Sequence, residues 1–348
     1  MEKILKIGMP AGSLADPNRG GNLVNLLTNS GFNVSGYAQG GPTKFTSVNF
    51  LFGWDGRPQE FGSQLEINEI DVAIAGDDWI MERVLELKLS YGTDIHLERV
   101  LELNRGEVKL VGIIDSENFD NVEDFLRDLC SRKKLITVVS EMPYLTLDWL
   151  RTRLGEIGIL DRFQSFSVQK YKTPSKIESG IVIYETWGKT EAKIKNGGAD
   201  IGLEITQSGN AVKNYGLNII DTVMHSQTSI WLNSEVRKDK EKLELLNMFL
   251  LNLYGSINAE NKMMVMFNVH NDNVDAIECY LREKNLFADE PTVSVGKEFT
   301  VFNIQIDAGN IDEPLAKVRY ELAKLGATSI NTIPVQSSIP GIRTVNGV

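Results

Sequence analysis

Short apolar runs alternate with amphipathic segments along most of this chain. Runs bounded by polar residues, Gly or Pro predict buried strands. They occupy residues 3–9, 69–76, 108–114, 134–139, 199–205, 216–220 and 229–233. Segments with apolar side chains at helical spacing predict helices. They occupy residues 21–30, 79–89, 122–130 and 147–155. Strands that alternate with helices in this way indicate an α/β fold.

The C-terminal third has a different order of elements. A long amphipathic helix is predicted over residues 239–261, because Leu243, Leu246, Phe249, Leu250 and Leu253 recur at helical spacing. A strand, a helix, two strands, a helix and a strand follow it. Their predicted bounds are 263–269, 274–283, 291–294, 298–307, 313–325 and 326–335. This order predicts a separate βαββαβ module.

These patterns predict four parts of the chain. Residues 1–105 form a first lobe, and residues 106–234 form a second lobe with a segment that returns to the first. Residues 235–261 form a spacer helix, and residues 262–348 form the βαββαβ module. Residues 38–62 have much Gly and little periodicity, so we expect a long loop there. Its aromatic residues, Phe45, Phe50, Phe52 and Trp54, would fill a neighbouring core.

One stretch has the signature of a phosphate site. The strand at 199–205 leads into a run of small and polar residues, Thr206-Gln207-Ser208-Gly209-Asn210-Ala211, which opens a helix. Successive backbone N–H groups in such a loop converge on an anion, aided by the positive end of the helix dipole. The alternative is an ordinary turn in which Ser208 or Asn210 only caps the helix.

Carboxylates also follow predicted strands. Asp77 and Asp78 come directly after the strand at 69–76, at the sheet edge where ligands of α/β folds gather. They would position a nucleotide or its Mg²⁺, or they would cap the helix that follows. Glu141 and Pro143 occupy the corresponding place after the strand at 134–139, where Ser140 fits helix capping equally well.

Composition narrows the function classes. The chain has 348 residues, of which 42% are hydrophobic and 24% charged, and this is typical of a globular protein of two or three domains. A net charge of −11 argues against nonspecific nucleic-acid binding. We find no signal peptide and no membrane-spanning run, and Cys130 and Cys279 lie far apart, so we expect a cytoplasmic protein without a disulfide.

Familiar catalytic motifs do not occur in the sequence. The three histidines, at positions 96, 225 and 270, are scattered, and none lies at metal-ligand spacing from a cysteine or another histidine. There is no Walker-type loop and no GxGxxG followed by a suitable acid.

Several segments resemble the ATP phosphoribosyltransferases, the first enzymes of histidine biosynthesis. The family's G-x-V-E, A-D, D-x-V-x-T-G-x-T-L and N-G-L motifs match, without a gap, residues 188–191, 199–200, 204–212 and 214–217. Residues 57–60, 69–79 and 140–146 resemble its R-x-x-D-I-P, V-D-L-G-I-T-G-E-D and T-E-Y-P-N-L-T segments. The positions N-V, P-T-V and G-A-x-x-I-x-x-x-P-I of its long form match residues 268–269, 291–293 and 326–335.

The resemblance implies a fold and a reaction. The expected fold is a two-lobed catalytic region, like that of periplasmic binding proteins, followed by a ferredoxin-like βαββαβ regulatory domain. The expected reaction joins N1 of ATP to 5-phosphoribosyl 1-diphosphate and releases diphosphate. The resemblance further implies Mg²⁺ as cofactor, histidine as feedback inhibitor, and dimers that assemble into a hexamer. Neither nucleic acid nor membrane is an expected partner.

The resemblance also implies roles for individual residues. It assigns catalysis to Glu204, which would meet the ribose hydroxyls, and to Glu191. Residues expected to bind the sugar diphosphate are Lys189, Thr206, Gln207, Ser208, Gly209, Asn210 and Ala211. Those expected to bind ATP are Gly12, Ser13, Arg57, Asp77, Asp78, Glu141 and Pro143.

This chain departs from the family pattern at several of these positions. Ala11 and Ser13 occupy places where the family has basic residues, although Gly12 remains. In the central motif, Glu204 replaces Asp, and Ser208 and Ala211 each replace Thr. Two alternatives therefore stay open: a paralogue that binds a nucleotide or small metabolite as a sensor or regulatory subunit, and a phosphoribosyltransferase with an acceptor other than ATP.

Overall fold

The computed structural model describes residues 3–11, 21–286 and 292–342. The chain divides into two compact units, residues 1–25 with 33–246 and residues 26–32 with 247–348. Among the described residues, unit 1 contains two large sheets, on which lobe I and lobe II are built, and a short two-stranded pair, and unit 2 contains one four-stranded sheet. Among the described residues, no helix combines the length and apolarity needed to cross a membrane.

Lobe I is a mixed five-stranded sheet. Its strands in spatial order are β4 (Leu51–Gly56), β1 (Leu5–Pro10), β5 (Val72–Gly76), β13 (Thr228–Asn233) and β6 (Leu97–Glu102). The first three are parallel, and β13 runs antiparallel to both of its neighbours. Helices α2 (Pro58–Glu66) and α3 (Asp77–Tyr91) follow β4 and β5, and α1 (Leu23–Asn29) follows β1. A short pair, β2 (Val34–Ser35) and β3 (Lys44–Phe45), lies apart from the main sheet.

The segment 38–62 is not the long loop that its composition predicts. It contains β4 and the start of α2, and β4 pairs with β1 along its whole length, from Leu5↔Leu51 to Pro10↔Gly56. The prediction that its aromatics fill a core is wrong for Phe52, which is 50% exposed, whereas Trp54 packs against the lobe I core. Because β4 is an edge strand with one exposed face and glycines at both Gly53 and Gly56, its apolar pattern is weak.

Lobe II is a mixed six-stranded sheet. Its strands in spatial order are β12 (Asn218–Ser226), β7 (Val108–Ile114), β11 (Ile201–Thr206), β8 (Leu135–Ser140), β10 (Gly180–Glu185) and β9 (Phe166–Lys170). Strands β11, β8, β10 and β9 are parallel to one another, and β7 is antiparallel to β11 and β12. The helices are α4 (Val122–Arg132), α5 (Pro143–Glu156), α6 (Thr190–Lys195) and α7 (Asn210–Asn214). The α/β class predicted from sequence is confirmed.

Lobe I contacts lobe II where α3 packs against α5. Trp79, Met81, Leu85 and Leu89 of α3 lie against the hydrophobic core of lobe II. The carboxylate of Glu82, from the same helix, accepts hydrogen bonds from the backbone N–H groups of Tyr144 (2.9 and 3.1 Å) and Leu145 (2.7 Å), near the start of α5. A side chain of lobe I thus satisfies helix N–H groups of lobe II, which would otherwise lack a partner.

Unit 2 contains the βαββαβ order that the sequence predicts. Its elements are β14 (Lys262–His270), α9 (Val274–Glu283), β15 (Thr292–Val295), β16 (Phe299–Asp307), α10 (Leu315–Lys324) and β17 (Ala327–Pro334). The spatial order is β15-β16-β14-β17, with every pair antiparallel, which is the arrangement of a ferredoxin-like sheet. Ile277, Leu281, Val318 and Leu322 of the two helices are fully buried in one core with the sheet.

The boundary between the units lies inside α8 (Lys240–Asn258), after Leu246. The sequence predicts a spacer helix over 235–261, and in the structure the contacts divide α8 between the two units. Unit 2 also takes residues 26–32 from the beginning of the chain. Within unit 2, Phe32 packs against Phe249, with their ring centroids 5.2 Å apart, and the Ser30 hydroxyl donates to Ser256 Oγ at 3.0 Å.

We predict that Glu82→Gln makes the protein less sensitive to pH. Burial raises the pKa of Glu82 to about 7, despite the two N–H donors, so the folded state binds a proton that the unfolded state releases above pH 4.5. The free energy of unfolding therefore falls as pH rises from about 4.5 through 7. Glutamine keeps an acceptor oxygen and never ionises, so the variant should be the more stable protein at pH 8, by at least about 1 kcal/mol or roughly 2–4 °C in Tm.

Thermal unfolding followed by circular dichroism at pH 5 and pH 8 tests this. Glu117→Gln, at an exposed carboxylate of the same unit, is the matched control and should keep the wild-type pH dependence. An identical decline in Tm for wild type and Glu82→Gln would contradict the assignment.

Candidate active site

The carboxyl ends of the parallel strands in lobe II bring the predicted catalytic residues together. Ser140, at the end of β8, is paired with Glu185 at the end of β10 and with Leu203 on β11. The next residues along each strand, Glu141 and Glu204, therefore project from the same edge of the sheet. This is the edge at which ligands of open α/β sheets bind.

Three carboxylates at this edge repel one another. Burial is the largest effect on the pKa of Glu204 and, together with the charges of Glu191 and Glu141, raises it to about 7. A hydrogen bond from Thr190 and the charge of Lys193 lower it. Burial also raises the pKa of Glu141, with a smaller contribution from Glu191. Glu191 itself is buried at the start of α6. Glu204 therefore titrates near neutral pH. The carboxylate oxygens at this edge could accept hydrogen bonds or bind a cation.

A strained turn, Gly188 and Lys189, lies beside these carboxylates. Both residues have positive φ, +75° and +60°, and the second is unfavourable for a residue with a side chain. The Gly188 N–H bonds to the Glu141 carboxylate and lowers its pKa. Lys193 Nζ donates to the carbonyl oxygen of Gly188 at 2.5 Å. The predicted residues Glu141, Lys189, Glu191 and Glu204 are thus brought together.

The predicted phosphate loop follows Glu204 directly. Thr206 ends β11 and its hydroxyl accepts a hydrogen bond from the Gly209 N–H at 2.9 Å. Gln207, Ser208, Asn210 and Ala211 are exposed, and Gly209 adopts φ +75° before α7. Because α7 has only five residues, the helix dipole that the sequence suggested is weak. Anion binding here would depend on the backbone N–H groups and hydroxyls of the loop, of which the Gly209 and Asn210 N–H groups already donate to Thr206 Oγ1 and Ser208 Oγ.

The strand ends of lobe I carry Arg57, Asp77 and Asp78, whereas Pro143 lies in lobe II. Arg57 is exposed between β4 and α2, and Pro143 is buried at the first position of α5. The Asp77 carboxylate accepts from Trp231 Nε1 at 3.0 Å and from Arg99 Nη1 at 3.1 Å. Burial raises the pKa of Asp78, whose carboxylate accepts from the Trp79 N–H at 2.9 Å. Gly12 and Ser13 lie outside the described residues.

A cavity of about 630 Å³ lies between the two lobes of unit 1. It includes Gln207 of the phosphate loop on one side and Asp77 on the other. Its polar wall also contains three groups that can carry positive charge, contributed by Arg99, Lys109 and His225. Val108, Lys109, His225 and Ser226 belong to β7 and β12, the strands adjoining the two points where the chain passes between the lobes.

Sequence reasoning missed these three basic residues. Lys109 and His225 face each other across β7 and β12, a pairing between residues more than a hundred positions apart. Arg99 lies on β6, a strand absent from the predicted elements because its pattern, Leu-Glu-Arg-Val-Leu-Glu, is half charged. The sequence does place a basic residue near each predicted segment that connects the two lobes. This pattern alone is only weak evidence for a binding site.

The described part of the chain contains no group of three or more His, Cys, Asp or Glu side chains placed to hold a metal ion. The carboxylates of the site suit a metal ion that the substrate's phosphate oxygens already coordinate, because Mg²⁺ is commonly bound by one or two carboxylates together with substrate phosphates.

Comparisons with known proteins give the family. The fold and the site define a two-lobed α/β protein in which a loop of the kind that binds phosphate lies beside a cavity between the lobes. A family model described as ATP phosphoribosyltransferase matches residues 57–253, more than half of the chain. The chain therefore belongs to the ATP phosphoribosyltransferase family, and it is a transferase of histidine biosynthesis.

Curated relatives match along nearly the whole chain. The ATP phosphoribosyltransferase of Desulfosudis oleivorans is 24% identical over 345 residues, which cover 97% of this chain and 100% of the relative. ATP phosphoribosyltransferase 1 of Geobacter sulfurreducens is 24% identical, with 97% and 100% covered. The enzyme of Nitratidesulfovibrio vulgaris Miyazaki F is 26% identical, with 88% and 89% covered.

Solved structures show weaker likeness. The ATP phosphoribosyl transferase (HisG:HisZ) complex from Thermotoga maritima gives a TM-score of 0.48 at 15% identity, with 72% of this chain and 99% of that chain covered. A putative periplasmic sulfonate-binding protein from Methylobacillus flagellatus gives 0.41 at 12% identity, with 81% and 72% covered.

We predict that Glu191→Gln lowers the pKa of Glu204. The negative charge of Glu191 is the largest repulsion acting on that carboxylate, so its removal should move the pKa toward the ordinary glutamate value by about one pH unit. Carbon-13 spectra of glutamate carboxyl groups, recorded against pH, measure the titration directly.

Glu185→Gln is the matched control, because Glu185 ends β10 at the same edge but pairs with Lys170 Nζ at 2.5 Å. An unchanged Glu204 titration in Glu191→Gln, or an equal change in the control, would show that the repulsion has another source.

Proposed function

We propose that this protein condenses ATP with 5-phosphoribosyl 1-diphosphate to give N1-(5-phosphoribosyl)-ATP and diphosphate. The observation that carries the proposal is that strand β11 leads directly into the predicted phosphate loop at residues 206–211. Glu204 on the strand and Gln207 in the loop lie only three positions apart, and Gln207 reaches the interlobe cavity. A sugar held at Glu204 would thus have its 5-phosphate at the loop and its anomeric carbon near the cavity.

The sugar diphosphate is assigned to lobe II. Backbone N–H groups and hydroxyls of Thr206, Gln207, Ser208, Gly209, Asn210 and Ala211 would hold the 5-phosphate. Glu204, when ionised, would accept hydrogen bonds from the ribose hydroxyls, and Lys189 would approach the diphosphate. Glu191 would act on the reaction through Glu204, whose pKa it raises.

ATP is assigned to the cavity and the strand ends of lobe I. Arg99, Lys109 and His225 supply groups that can balance a triphosphate in a chain whose net charge is −11. Asp77 and Asp78 would approach the nucleotide from lobe I. Arg57, Gly12 and Ser13 are further proposed contacts of ATP. Glu141 and Pro143 would form the opposite wall in lobe II.

The family uses a divalent metal ion, and we propose that it is Mg²⁺, carried on the substrates' phosphate oxygens. Bound there, Mg²⁺ would neutralise charge on the departing diphosphate. The protein's own contribution is alignment of N1 of the base with C1 of the ribose, together with acceptors that stabilise positive charge at that carbon. The bond from C1 to the diphosphate oxygen breaks as the bond from N1 to C1 forms.

Unit 2 is assigned to regulation by histidine. It contains a complete core of its own, and the cluster of carboxylates with raised pKa values, Glu141 and Glu204, belongs to unit 1. We further propose that the protein is cytoplasmic and assembles from dimers into a hexamer, as the family resemblance implies.

The reaction is tested by mixing the protein with Mg²⁺, ATP and 5-phosphoribosyl 1-diphosphate. The expected result is release of diphosphate together with the near-ultraviolet absorbance of the N1 adduct. Ala11 and Ser13, where the family has basic residues, are the observation that favours a sensor instead. Tight nucleotide binding without any product would establish that second function. Diphosphate release only with another base would indicate a different acceptor.

We predict that Gly209→Val abolishes binding of 5-phosphoribosyl 1-diphosphate. Gly209 has φ +75°, and a β-branched residue is strained in that region and would change the directions of neighbouring N–H groups. Titration calorimetry with the sugar diphosphate measures the loss, which should exceed tenfold in Kd.

Gly197→Val is the matched control. Gly197 has φ +66° with no atom within 4 Å of an added Cβ, so it carries the same strain in lobe II away from the loop. Equal affinities in both variants would remove the loop from the site.

We predict that a chain ending at Asn261 still binds 5-phosphoribosyl 1-diphosphate but no longer responds to histidine. This chain keeps all of unit 1 and α8, and it retains the contact of Phe32 with Phe249. Calorimetry and inhibition assays compare it with the full chain. Inhibition by histidine in the folded, shortened protein would place the effector site outside the βαββαβ module.

A further inference from the structure

Lys193 occupies a central place at the acidic edge of lobe II that the assignments above leave without a role. It lies on α6, one turn after the strained turn at Gly188 and Lys189. Its Nζ donates to the carbonyl oxygen of Gly188 at 2.5 Å and lies 3.4 Å from that of Lys189. One ammonium group therefore holds two successive carbonyls of a turn that contains a non-glycine residue at φ +60°.

The same ammonium group is the cation that acts on the clustered carboxylates. Lys193 lowers the pKa of both Glu141 and Glu204, against burial and against the repulsion from Glu191. The positive charge of Lys193 therefore favours the ionised forms of both carboxylates, although the hydrogen bonds from Thr190 to Glu204 and from Gly188 to Glu141 lower their pKa values more.

An aromatic side chain fixes the position of Lys193. Its Nζ lies 5.5 Å from the centroid of the Tyr171 ring, a distance at which a cation is attracted to the ring face. Tyr171 packs edge to face against Tyr184, with centroids 5.8 Å apart, and its hydroxyl fills the space that a Cβ on Gly198 would need. Lys172 approaches the same ring at 5.7 Å. The lysine is therefore held on one side by a ring and on the other by carbonyl oxygens.

We propose that Lys193 is a positioning residue of the sugar-diphosphate site, and this rests on the function proposed above. It holds the Gly188–Lys189 turn through two carbonyl oxygens, and its charge favours the ionised forms of Glu141 and Glu204. Glu204 is one methylene longer than the aspartate at the family's corresponding position, and Lys193 supplies a counter-charge at its side. The charged and titratable groups facing this arrangement are Glu141, Glu191, Glu204, Lys189, Tyr171 and Lys172.

The test compares Lys193→Met, Lys193→Arg and Lys195→Met with wild type. Lys195 lies two residues further along α6, exposed and paired with Asp115 at 2.9 Å, so it matches Lys193 in type and helix but not in contacts. Affinity for 5-phosphoribosyl 1-diphosphate is measured by calorimetry between pH 6 and 9, and kcat and KM are measured over the same range.

The expected result is a shift of the pH profile. Without the positive charge, Glu204 ionises at higher pH, so Lys193→Met should bind the probe about two- to threefold more weakly near pH 7 and recover part of the loss by pH 9. Its KM for the sugar diphosphate should change more than its kcat. Lys193→Arg should keep the wild-type profile, and Lys195→Met should match wild type. A pH-independent loss, or equal effects in Lys193→Met and Lys195→Met, would overturn the proposal.

A second measurement separates this inference from the proposed function. The pKa of Glu204, followed by carboxyl carbon-13 spectra without any ligand, should be higher in Lys193→Met than in Lys195→Met. If wild type does not bind the sugar diphosphate, the proposed function fails. In that case the Glu204 titration alone decides whether Lys193 lowers the pKa of Glu204. If Lys193→Met does not fold, Lys193→Gln serves in its place.

Discussion

The hydrogen bonds from the N–H groups of Tyr144 and Leu145 to Glu82 join the two halves of the candidate active site. Glu82 lies on α3, which begins with Asp77 and Asp78. Its donors lie on α5, which begins at Pro143, two residues after Glu141. The beginnings of both helices are therefore fixed relative to each other by one buried carboxylate and by the apolar side chains around it. Alignment of two substrates to within an ångström requires this kind of support.

The same carboxylate shows why the site tolerates so much negative charge. Glu82, Asp78, Glu141 and Glu204 all have pKa values raised mainly by burial, so each is easier to protonate than an exposed acid. Phosphate substrates bring further negative charge into this region. Lys193 acts on Glu141 and Glu204, and Arg99, Lys109 and His225 line the cavity between the lobes, so positive charge is present locally although the chain as a whole is acidic.

Sequence patterns predicted many of the buried or strongly periodic elements, but they missed β10, an interior strand that is buried along almost its whole length. The strand Val108–Ile114 and the helix Val274–Glu283 have the predicted bounds, because their apolar spacing is regular over their whole length. The two edge strands of lobe I, β4 and β6, were missed because charged or glycine positions interrupt their apolar pattern. The loop at 206–211 and its neighbouring carboxylates could be proposed from a motif. The roles of Glu82 and Lys193 could not, because they depend on contacts that no local spacing encodes.

The division of α8 between the two compact units has a consequence for how such a chain can evolve or be taken apart. A module joined by a flexible linker can be lost or exchanged with little effect on its neighbour. Here a cut at residue 246 would sever a helix within a turn of Phe249 and Leu250, and would leave residues 26–32 without their partners in the second unit. Gain or loss of the C-terminal module is therefore tied to compensating changes at the far end of the chain, near Leu26 and Phe32.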